Sequence, residues 1–300
     1  MIKMQPRASS GKGKTREEII GEMAKFLQDK TPEVFDLEKV NKVYPTSYNE
    51  CMNSVLYQEC VRYNGLLSVM KVGLITVQKA LKGEVGMSEK LEAMANAIFN
   101  NEVPSDWTQQ NGSGFLSMMP LASWINDCNE RTDFLQGWYD NGTPNIFWIS
   151  GFFFPQAFLT GTMQNYARKK VIAIDELSYK FEIRDDIQKE DVKERPEAGC
   201  LVYGLFLEGA RWNKETHMLD DSEPKKLYET MPIVGFVPYQ NAKKSVGVYP
   251  APTYKVLSRL GTLLTTGHST NFVLNIELPT DRDPAEWTRA GVGCFLALKY

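Results

Sequence analysis

Residues 168–183 read RKKVIAIDELSYKFEI, and the periodicity of the sequence changes within this stretch. Before it, apolar residues recur every three or four positions, which is the spacing of an amphipathic helix. After it, Tyr179, Phe181 and Ile183 alternate with charged residues, which is the spacing of a strand with one face in water. The sequence therefore predicts an α+β fold, with an N-terminal α-helical subdomain over 15–178 and a strand-rich subdomain over 179–300.

Helix start and stop signals are clear in the first part of the sequence. Thr15 and Glu18 spell a capping box, in which each side chain bonds the other residue's amide, so a first helix begins after Thr15 and ends near Pro32. Gly65 and Gly73 lie inside the longest helical pattern, where each costs about 1 kcal/mol relative to alanine, and they suggest close helix contacts or a kink. Further helices are predicted over 48–82, 88–100, 120–139 and 155–170.

The last third of the sequence has strand candidates separated by turns rich in Gly, Pro, Asn and Asp. These candidates cover 179–183, 201–207, 233–237, 272–278 and 292–298. No pattern long enough for a helix interrupts them, so the sheet is expected to be mostly antiparallel. We therefore predict that 179–300 forms an antiparallel β-barrel-like subdomain.

The overall composition is that of an ordinary globular protein. The sequence has 300 residues, of which 43% are hydrophobic and 24% charged, and its formal net charge is -3 at pH 7. It lacks the basic excess that is typical of nucleic-acid binding, although the first sixteen residues contain cations and no acid. We interpret that basic start as a solvated loop or linker and expect no nucleic-acid partner.

Cysteine and histidine usage argues against a metal site. The five cysteines form no Cys-x-x-Cys pair, and the imidazoles are limited to His217 and His268, so a zinc site lacks ligands. We interpret the cysteines as reduced, mostly buried thiols of an intracellular protein. The start of the sequence has no apolar stretch like a signal peptide, and the most apolar run, 146–154, is far shorter than the roughly twenty residues of a membrane helix. No membrane partner is expected.

Two short motifs raise the question of nucleotide binding. Residues 8–15 read ASSGKGKT and end as a P-loop ends, with Ala8 where the full signature has glycine. The run 171–176 is apolar and ends in two acids, which is the pattern that holds magnesium in such enzymes. A P-loop follows a buried parallel strand and needs the acid on a neighbouring strand. The predicted helices between the two motifs leave no such sheet.

The alternative function is thus a free-standing P-loop ATPase that uses Lys14, Thr15 and Asp175. Thr15 already has a role as a helix cap, and Asp175 has one in the turn that leads into the first strand. Elsewhere His268 adjoins Ser269, but neighbours on an extended backbone point to opposite sides. We therefore expect no catalytic, cofactor-binding or metal-binding residue in this protein.

Longer motifs carry a far more specific signal. They read KALKG at 79–83, FWISGFFFPQAFLTG at 147–161, QNYARK at 164–169, GLFLEGARW at 204–212 and TTGHSTNFV at 265–273. Through these motifs the sequence, from Gln5 to its last residue, resembles the C-terminal region of dynein heavy chains, the microtubule motors. The FFFPQ and QNYARK motifs are similar to the axonemal branch, from cilia and flagella.

The resemblance implies a helical subdomain and an antiparallel barrel-like subdomain that lie against a ring of AAA+ modules. It implies that 1–14 is the linker from the preceding AAA+ module and that nucleotide hydrolysis belongs to modules outside this sequence. The implied role is non-catalytic modulation of motor force and processivity in the axoneme of a cilium or flagellum. The implied partners are the AAA+ modules of the same heavy chain and other dynein subunits.

Microtubules are expected to be met only indirectly. A further possibility is direct binding to microtubules through the basic start and the cations at 168–170. We disfavour it because the net charge of the sequence has the same sign as that of the acidic microtubule lattice.

Overall fold

A computed structural model describes residues 14–108, 114–115, 117–240, 246–259, 262–263, 265 and 267–297. In this part of the protein, helices lie mainly in the first half and strands in the second, as the sequence predicts. The helices are α1 Arg16–Lys30, α2 Leu37–Val43, α3 Cys51–Leu81, α4 Glu89–Phe99, α5 Leu121–Asn141, α6 Pro155–Lys170 and α7 Pro284–Ala290. The strands are β1 Phe147–Trp148, β2 Leu177–Arg184, β3 Cys200–Tyr203, β4 Phe206–Glu208, β5 Ala210–Asn213, β6 Met218–Asp221, β7 Tyr228–Thr230, β8 Ile233–Gln240, β9 Val248–Tyr254, β10 Phe272–Pro279 and β11 Gly293–Phe295.

Local capping sets where the predicted helices begin. The amide of Glu18 donates to Thr15 Oγ1 at 3.2 Å and the amide of Thr15 donates to Glu18 Oε2 at 2.8 Å, so the capping box at the start of α1 is confirmed. Ser88 caps α4 through the amide of Leu91. Pro155 occupies the first turn of α6, where its missing N–H costs nothing.

Residue contacts divide the protein into two compact units. The first comprises residues up to 40 and 58–135, and the second comprises 41–57 and 136–298. Helices α3 and α5 each contribute residues to both units. The boundary predicted between 178 and 179 follows the change from helix to strand, and as a domain boundary it stays a prediction.

The core of the first unit is built on the inner face of α3. Leu66, Leu67, Met70, Leu74 and Val77 on that face are fully buried. A Cβ atom at Gly73 would lie 2.7 Å from Cε of Met94, so the glycine lets α4 approach α3 closely. The close contact predicted for Gly73 is therefore confirmed.

The second unit contains an aromatic cluster from the most apolar run of the sequence. The rings of Phe152 and Phe158 stack with centroids 4.3 Å apart, and Phe147 lies 4.8 Å from Phe158. Trp138 meets Phe147 edge-on at 5.4 Å. Phe147, Phe152 and Phe158 are all buried, so this run is core, as the sequence predicts.

The strands form two larger sheets and a hairpin. The first sheet has the order β1-β3-β8-β2, the second has the order β10-β9-β11-β4-β7, and β5 pairs with β6. Strands β2 and β8 are antiparallel along their full length, from Leu177 opposite Gln240 to Arg184 opposite Ile233. The rings of Tyr179 and Phe181 pack on Phe236, at 5.5 and 5.1 Å. The strand predicted from the alternation after 178 is thereby confirmed.

The prediction of an antiparallel barrel is wrong. The described strands form mixed, open sheets: β1 runs parallel to β3, and β11 runs parallel to β9. The reason lies in the connection from β10 to β11, which includes the unpredicted helix α7. This connection takes the backbone from one side of β9 to the other, and a parallel neighbour requires such a crossover.

The single strand predicted over 201–207 is also wrong. Gly204 has φ +87°, a conformation that favours glycine, and it separates β3 from β4, which belong to different sheets. A Cβ atom at Gly204 would lie 2.6 Å from Cδ1 of Trp148. The glycine thus lets the backbone leave one sheet and enter the other beside an indole ring.

Candidate functional site

The lysine and threonine of the P-loop-like motif have local structural roles. The ammonium group of Lys14 lies 2.5 and 2.7 Å from the two carboxylate oxygens of Glu22, in the second turn of α1. The hydroxyl of Thr15 accepts the amide of Glu18 as the N-cap of α1. Residues 8–13 of the motif lie outside the described part of the protein.

The proposed magnesium acid does not lie on a strand. Asp175 sits in a single 3-10 turn, Ile174–Glu176, which leads into β2. The apolar run before it ends α6 instead of forming a strand, because Val171 adopts the left-handed conformation with φ 56°. Among the described residues from 14 to 146 no strand of a sheet occurs. The P-loop alternative therefore has no structural support.

Histidines and thiols form no metal cluster within the described residues. All five cysteines are buried and unpaired by disulfides. Burial raises the pKa of the thiols of Cys60, Cys128, Cys200 and Cys294 to about 12, so they stay protonated at neutral pH. The inference of reduced, buried cysteines agrees with this geometry.

The two histidines have ordinary partners. His268 is exposed and its ring stacks on that of Phe272 with centroids 4.0 Å apart. His217 is exposed and its Nδ1 lies 2.8 Å from Asp185 Oδ2, which also accepts the indole N–H of Trp212 at 2.7 Å. These contacts tie the β5–β6 hairpin to the end of β2.

The long motif on α6 holds the beginning of α3 within the second unit. Asn165 Oδ1 accepts the backbone amide of Cys51 at 2.7 Å, and Asn165 Nδ2 donates to Glu50 Oε1 at 2.7 Å. Arg168 donates to the carbonyl of Tyr48 and its guanidinium lies 4.1 Å from the Tyr48 ring centroid. Residues of this motif thus connect α6 to the segment 48–51, and Arg168 takes part in one of these contacts.

Residues of the neighbouring motif at 147–161 also hold backbone segments together. Gln156 Nε2 donates to the carbonyl of Phe272 at 3.1 Å, and the hydroxyl of Ser150 donates to the carbonyl of Leu296. A Cβ atom at Gly161 would lie 2.8 Å from Cε of Met52, so this glycine admits the first turn of α3 against α6. The residues that carry the family resemblance therefore position backbone segments.

One cleft of about 350 Å³ opens beside α6 in the second unit. Its lining includes Asn165, Tyr166 and Lys169 from α6, with Arg195 and Glu197 from the loop before β3. The lining mixes cations and carboxylates, and Asn165 is already bonded to two protein groups. The cleft therefore shows no preference for one class of ligand.

The most distinctive surface feature of the first unit is an apolar stripe on the outer face of α3. We define the outer stripe as Val61, Gly65, Ser68, Val72 and Ile75, which are all exposed and follow spacings of four, three, four and three residues. Val61, Val72 and Ile75 expose 42%, 65% and 39% of their surface. Helix α3 thus has a second apolar face, the outer stripe, in addition to its buried inner face.

Sequence inspection missed this outer stripe. The helical pattern of α3 predicts one buried face, and its apolar residues are numerous enough to fill two. Gly65 was the available signal: unlike Gly73, it has no atom of the described residues within 4 Å of an added Cβ. The close contact predicted at Gly65 is therefore not made by any residue that the structure describes.

By length and composition α3 also passes the test for a membrane-crossing helix. Its inner face is fully buried against protein, and Glu59 is buried on it. Core helices of folded domains have the same features, so this result is weak support for a membrane segment.

Comparisons with known proteins agree with the resemblance. Residues 1–296 match the family model that describes the C-terminal domain of the dynein heavy chain. The sequence is 46% identical over 301 residues to dynein axonemal heavy chain 1 of Homo sapiens and 44% identical over 294 residues to dynein axonemal heavy chain 3 of Homo sapiens. It is 42% identical over 291 residues to dynein axonemal heavy chain 12 of Homo sapiens.

These alignments cover 100%, 98% and 96% of this sequence, but 7%, 7% and 9% of the respective relatives. The protein thus spans less than a tenth of the length of the curated relatives it matches. The family predicted from the FFFPQ, QNYARK and related motifs is confirmed, and the protein belongs to the family of C-terminal domains of dynein heavy chains.

Proposed function

We propose that this protein is the C-terminal domain of an axonemal dynein and works in the axoneme of a cilium or flagellum. The family match over residues 1–296 carries the proposal. Identities of 42–46% over 96–100% of this sequence to heavy chains named axonemal support the branch and the location.

The proposed role is non-catalytic. The domain packs on the AAA+ modules of the same heavy chain, follows a linker at 1–14, and modulates the force and processivity of the motor. The engagement of Lys14 with Glu22, and of Thr15 with Glu18, supports a role without nucleotide. Modulation of this kind requires contacts whose free energy differs between the states of the ring, because equal contacts shift no equilibrium.

The proposed partners follow from the same role. They are the AAA+ modules of the heavy chain and other dynein subunits, while microtubules are bound by modules outside this domain. The formal net charge of -3 supports the absence of a direct role with microtubules or nucleic acid. No contact with a membrane is proposed.

Removal of the domain from the heavy chain tests the role. We expect altered stall force and run length in a single-molecule assay, with the ATP affinity of the first AAA+ module nearly unchanged. The matched variant Lys14→Ala in the intact heavy chain is expected to move normally, because Lys14 contacts a carboxylate of α1 and no nucleotide. Unchanged force and run length after removal of the domain would reject the proposal.

A further inference from the structure

We infer that Asn141, the last residue of α5, is a site of spontaneous covalent modification at which the folded protein converts asparagine into aspartate and isoaspartate. The reaction consumes water, releases ammonia and needs no enzyme or cofactor. It adds one negative charge to the second unit and is independent of the proposed function. Asn141 is thus a position at which the protein changes with age.

The sequence provides this chemistry through asparagine–glycine pairs. In such a pair the glycine nitrogen approaches the asparagine side chain closely, because glycine has no Cβ in the way. The sequence contains three pairs, at 64–65, 111–112 and 141–142, of which 111–112 lies outside the described residues. The surroundings of the other two pairs decide which one reacts in the folded protein.

The reaction links the two residues before water completes it. The backbone nitrogen of Gly142 loses its proton to hydroxide and attacks Cγ of Asn141, so a new C–N bond forms while the bond from Cγ to Nδ2 breaks and ammonia leaves. Water then opens the five-membered imide at one carbonyl or the other, which gives aspartate or isoaspartate. The reaction therefore requires a glycine nitrogen that leaves its hydrogen bond and an asparagine side chain that turns towards it.

Both requirements are met at small cost at the end of α5. The amide of Gly142 donates to the carbonyl of Trp138 at 3.0 Å, at a helix end where fraying costs little. When that amide leaves, the Trp138 carbonyl keeps a second donor, the Tyr44 hydroxyl at 2.9 Å. Asn141 is exposed, so water replaces its bond from Nδ2 to the carbonyl of Gly137 when the side chain turns.

The pair at 64–65 meets neither requirement. The Asn64 side chain bonds the backbone of Phe35 twice: Oδ1 accepts the amide at 2.7 Å and Nδ2 donates to the carbonyl at 2.8 Å. Gly65 lies in the middle of the 31-residue helix α3, so its nitrogen becomes available only when the helix opens internally. Internal opening costs far more than fraying at an end. The same dipeptide at 64–65 is therefore an internal control for 141–142.

The product changes the end of α5 in two ways. A carboxylate at 141 lies beside Asp140, at the C-terminal end of a helix, where the helix dipole disfavours negative charge. Isoaspartate also adds one carbon atom to the backbone near the carbonyls of Trp138 and Tyr139, which both accept from the Tyr44 hydroxyl. Asn141→Asp, which carries the charge alone, should have a lower Tm than the neutral control Asn141→Gln. A Tm at or above that of the control would contradict this effect.

Ageing of the 300-residue protein at mildly alkaline pH, in water enriched in heavy oxygen, tests the inference. Each modification formed during the incubation takes up a heavy oxygen atom from water, and peptide mass spectrometry reads it separately at 64 and 141. In the folded protein Asn141 should react at least about tenfold faster than Asn64, because each tenfold corresponds to about 1.4 kcal/mol of opening free energy. In urea the two sites should react at similar rates, because the helices that distinguish them are lost.

A rate ratio in the folded protein no larger than that in urea would overturn the inference. Aspartate without isoaspartate at 141 would do the same, because direct hydrolysis of the side chain gives that product alone. Gly142→Ala is the control for the route: its Cβ should slow the reaction at Asn141 about tenfold and leave that at Asn64 unchanged. An unchanged rate at Asn141 in this variant would exclude attack by the Gly142 nitrogen and refute the inference.

Discussion

Asn165 of α6 accepts the backbone amide of Cys51 at 2.7 Å and donates to Glu50 at the same distance, so one side chain holds the start of the longest helix. This residue belongs to the QNYARK motif, one of the motifs through which the sequence resembles the family. Because this residue holds two backbone segments together, its substitution should change the free energy of unfolding.

Asn165→Ala should therefore lower the free energy of unfolding by about 1–3 kcal/mol, because the amide of Cys51 and the carboxylate of Glu50 lose their partner in a partly buried place. Urea denaturation measures the change. Asn141→Ala, which removes an exposed hydrogen bond to Gly137, should stay within about 0.5 kcal/mol. Equal effects of the two variants would contradict the role of Asn165.

Val171→Gly should stabilise the protein. Val171 ends α6 at φ 56° and exposes 92% of its surface, so a β-branched side chain occupies a left-handed position and makes few contacts. The left-handed conformation costs a residue with a Cβ roughly 1–2 kcal/mol, and glycine avoids this cost. The greater conformational freedom of glycine in the unfolded state offsets part of that gain in stability. We expect a gain of about 1 kcal/mol in urea denaturation. Val34→Gly, at an exposed position, should give a loss, and a loss at Val171 as well would refute this reasoning.

Gly199→Ala should be strongly destabilising. Gly199 has φ +77°, and an added Cβ would lie 1.8 Å from the carbonyl oxygen of Phe236 on β8. That oxygen belongs to the backbone of a central strand, so it cannot move without disturbing the sheet. We expect a loss of about 3 kcal/mol or more. Gly142→Ala, at φ +94° with open space, should lose only about 1 kcal/mol, and denaturation curves that rank the two variants in the opposite order would disprove the steric account.

The stability of the second unit should fall in acid through Asp185. Burial alone would raise the pKa of this carboxyl, but hydrogen bonds from Trp212 and His217 outweigh burial and leave the pKa below its ordinary value. Because the folded pKa lies below the unfolded value of about 3.9, the stabilisation is complete above that pH and is lost as the pH falls through the lowered pKa. The side chain is only 7% exposed.

Asp185→Asn should therefore be less stable than the wild type at pH 7, and the difference should shrink below about pH 4. Urea denaturation across a pH series measures it. Asp133→Asn, on the exposed side of α5, should show no such convergence. A difference between wild type and Asp185→Asn that is independent of pH would show that the carboxylate is not the stabilising form.

Local signals predicted the longer helices and strands β2, β8 and β10, whereas strand β9 was not predicted and long-range pairing could not be predicted. Thr15 with Glu18, Ser88 and Pro155 each fix a helix start by contacts within a few residues. The short helices α2 and α7 were not predicted, because a helix of seven residues has too few apolar positions to show a helical periodicity. The place of β11 between β9 and β4 depends on partners far apart in the sequence, so the sheets were predicted as a barrel.

The outer stripe of α3 was harder to predict from the sequence than the fold. Apolar residues of α3 such as Leu74 and Ile75 look alike in the sequence, yet one is fully buried and the other is exposed. Contacts in the folded structure are needed to show that Met94 occupies the space beside Gly73, whereas no described atom occupies the space beside Gly65.

We propose that this domain contributes contacts and no nucleotide chemistry, and calorimetric titration of the 300-residue protein with Mg-ATP measures whether it binds nucleotide. With Lys14 paired to Glu22 and Thr15 capping α1, we predict no saturable heat of binding up to millimolar nucleotide. A saturable heat that disappears in Lys14→Ala would contradict the claim.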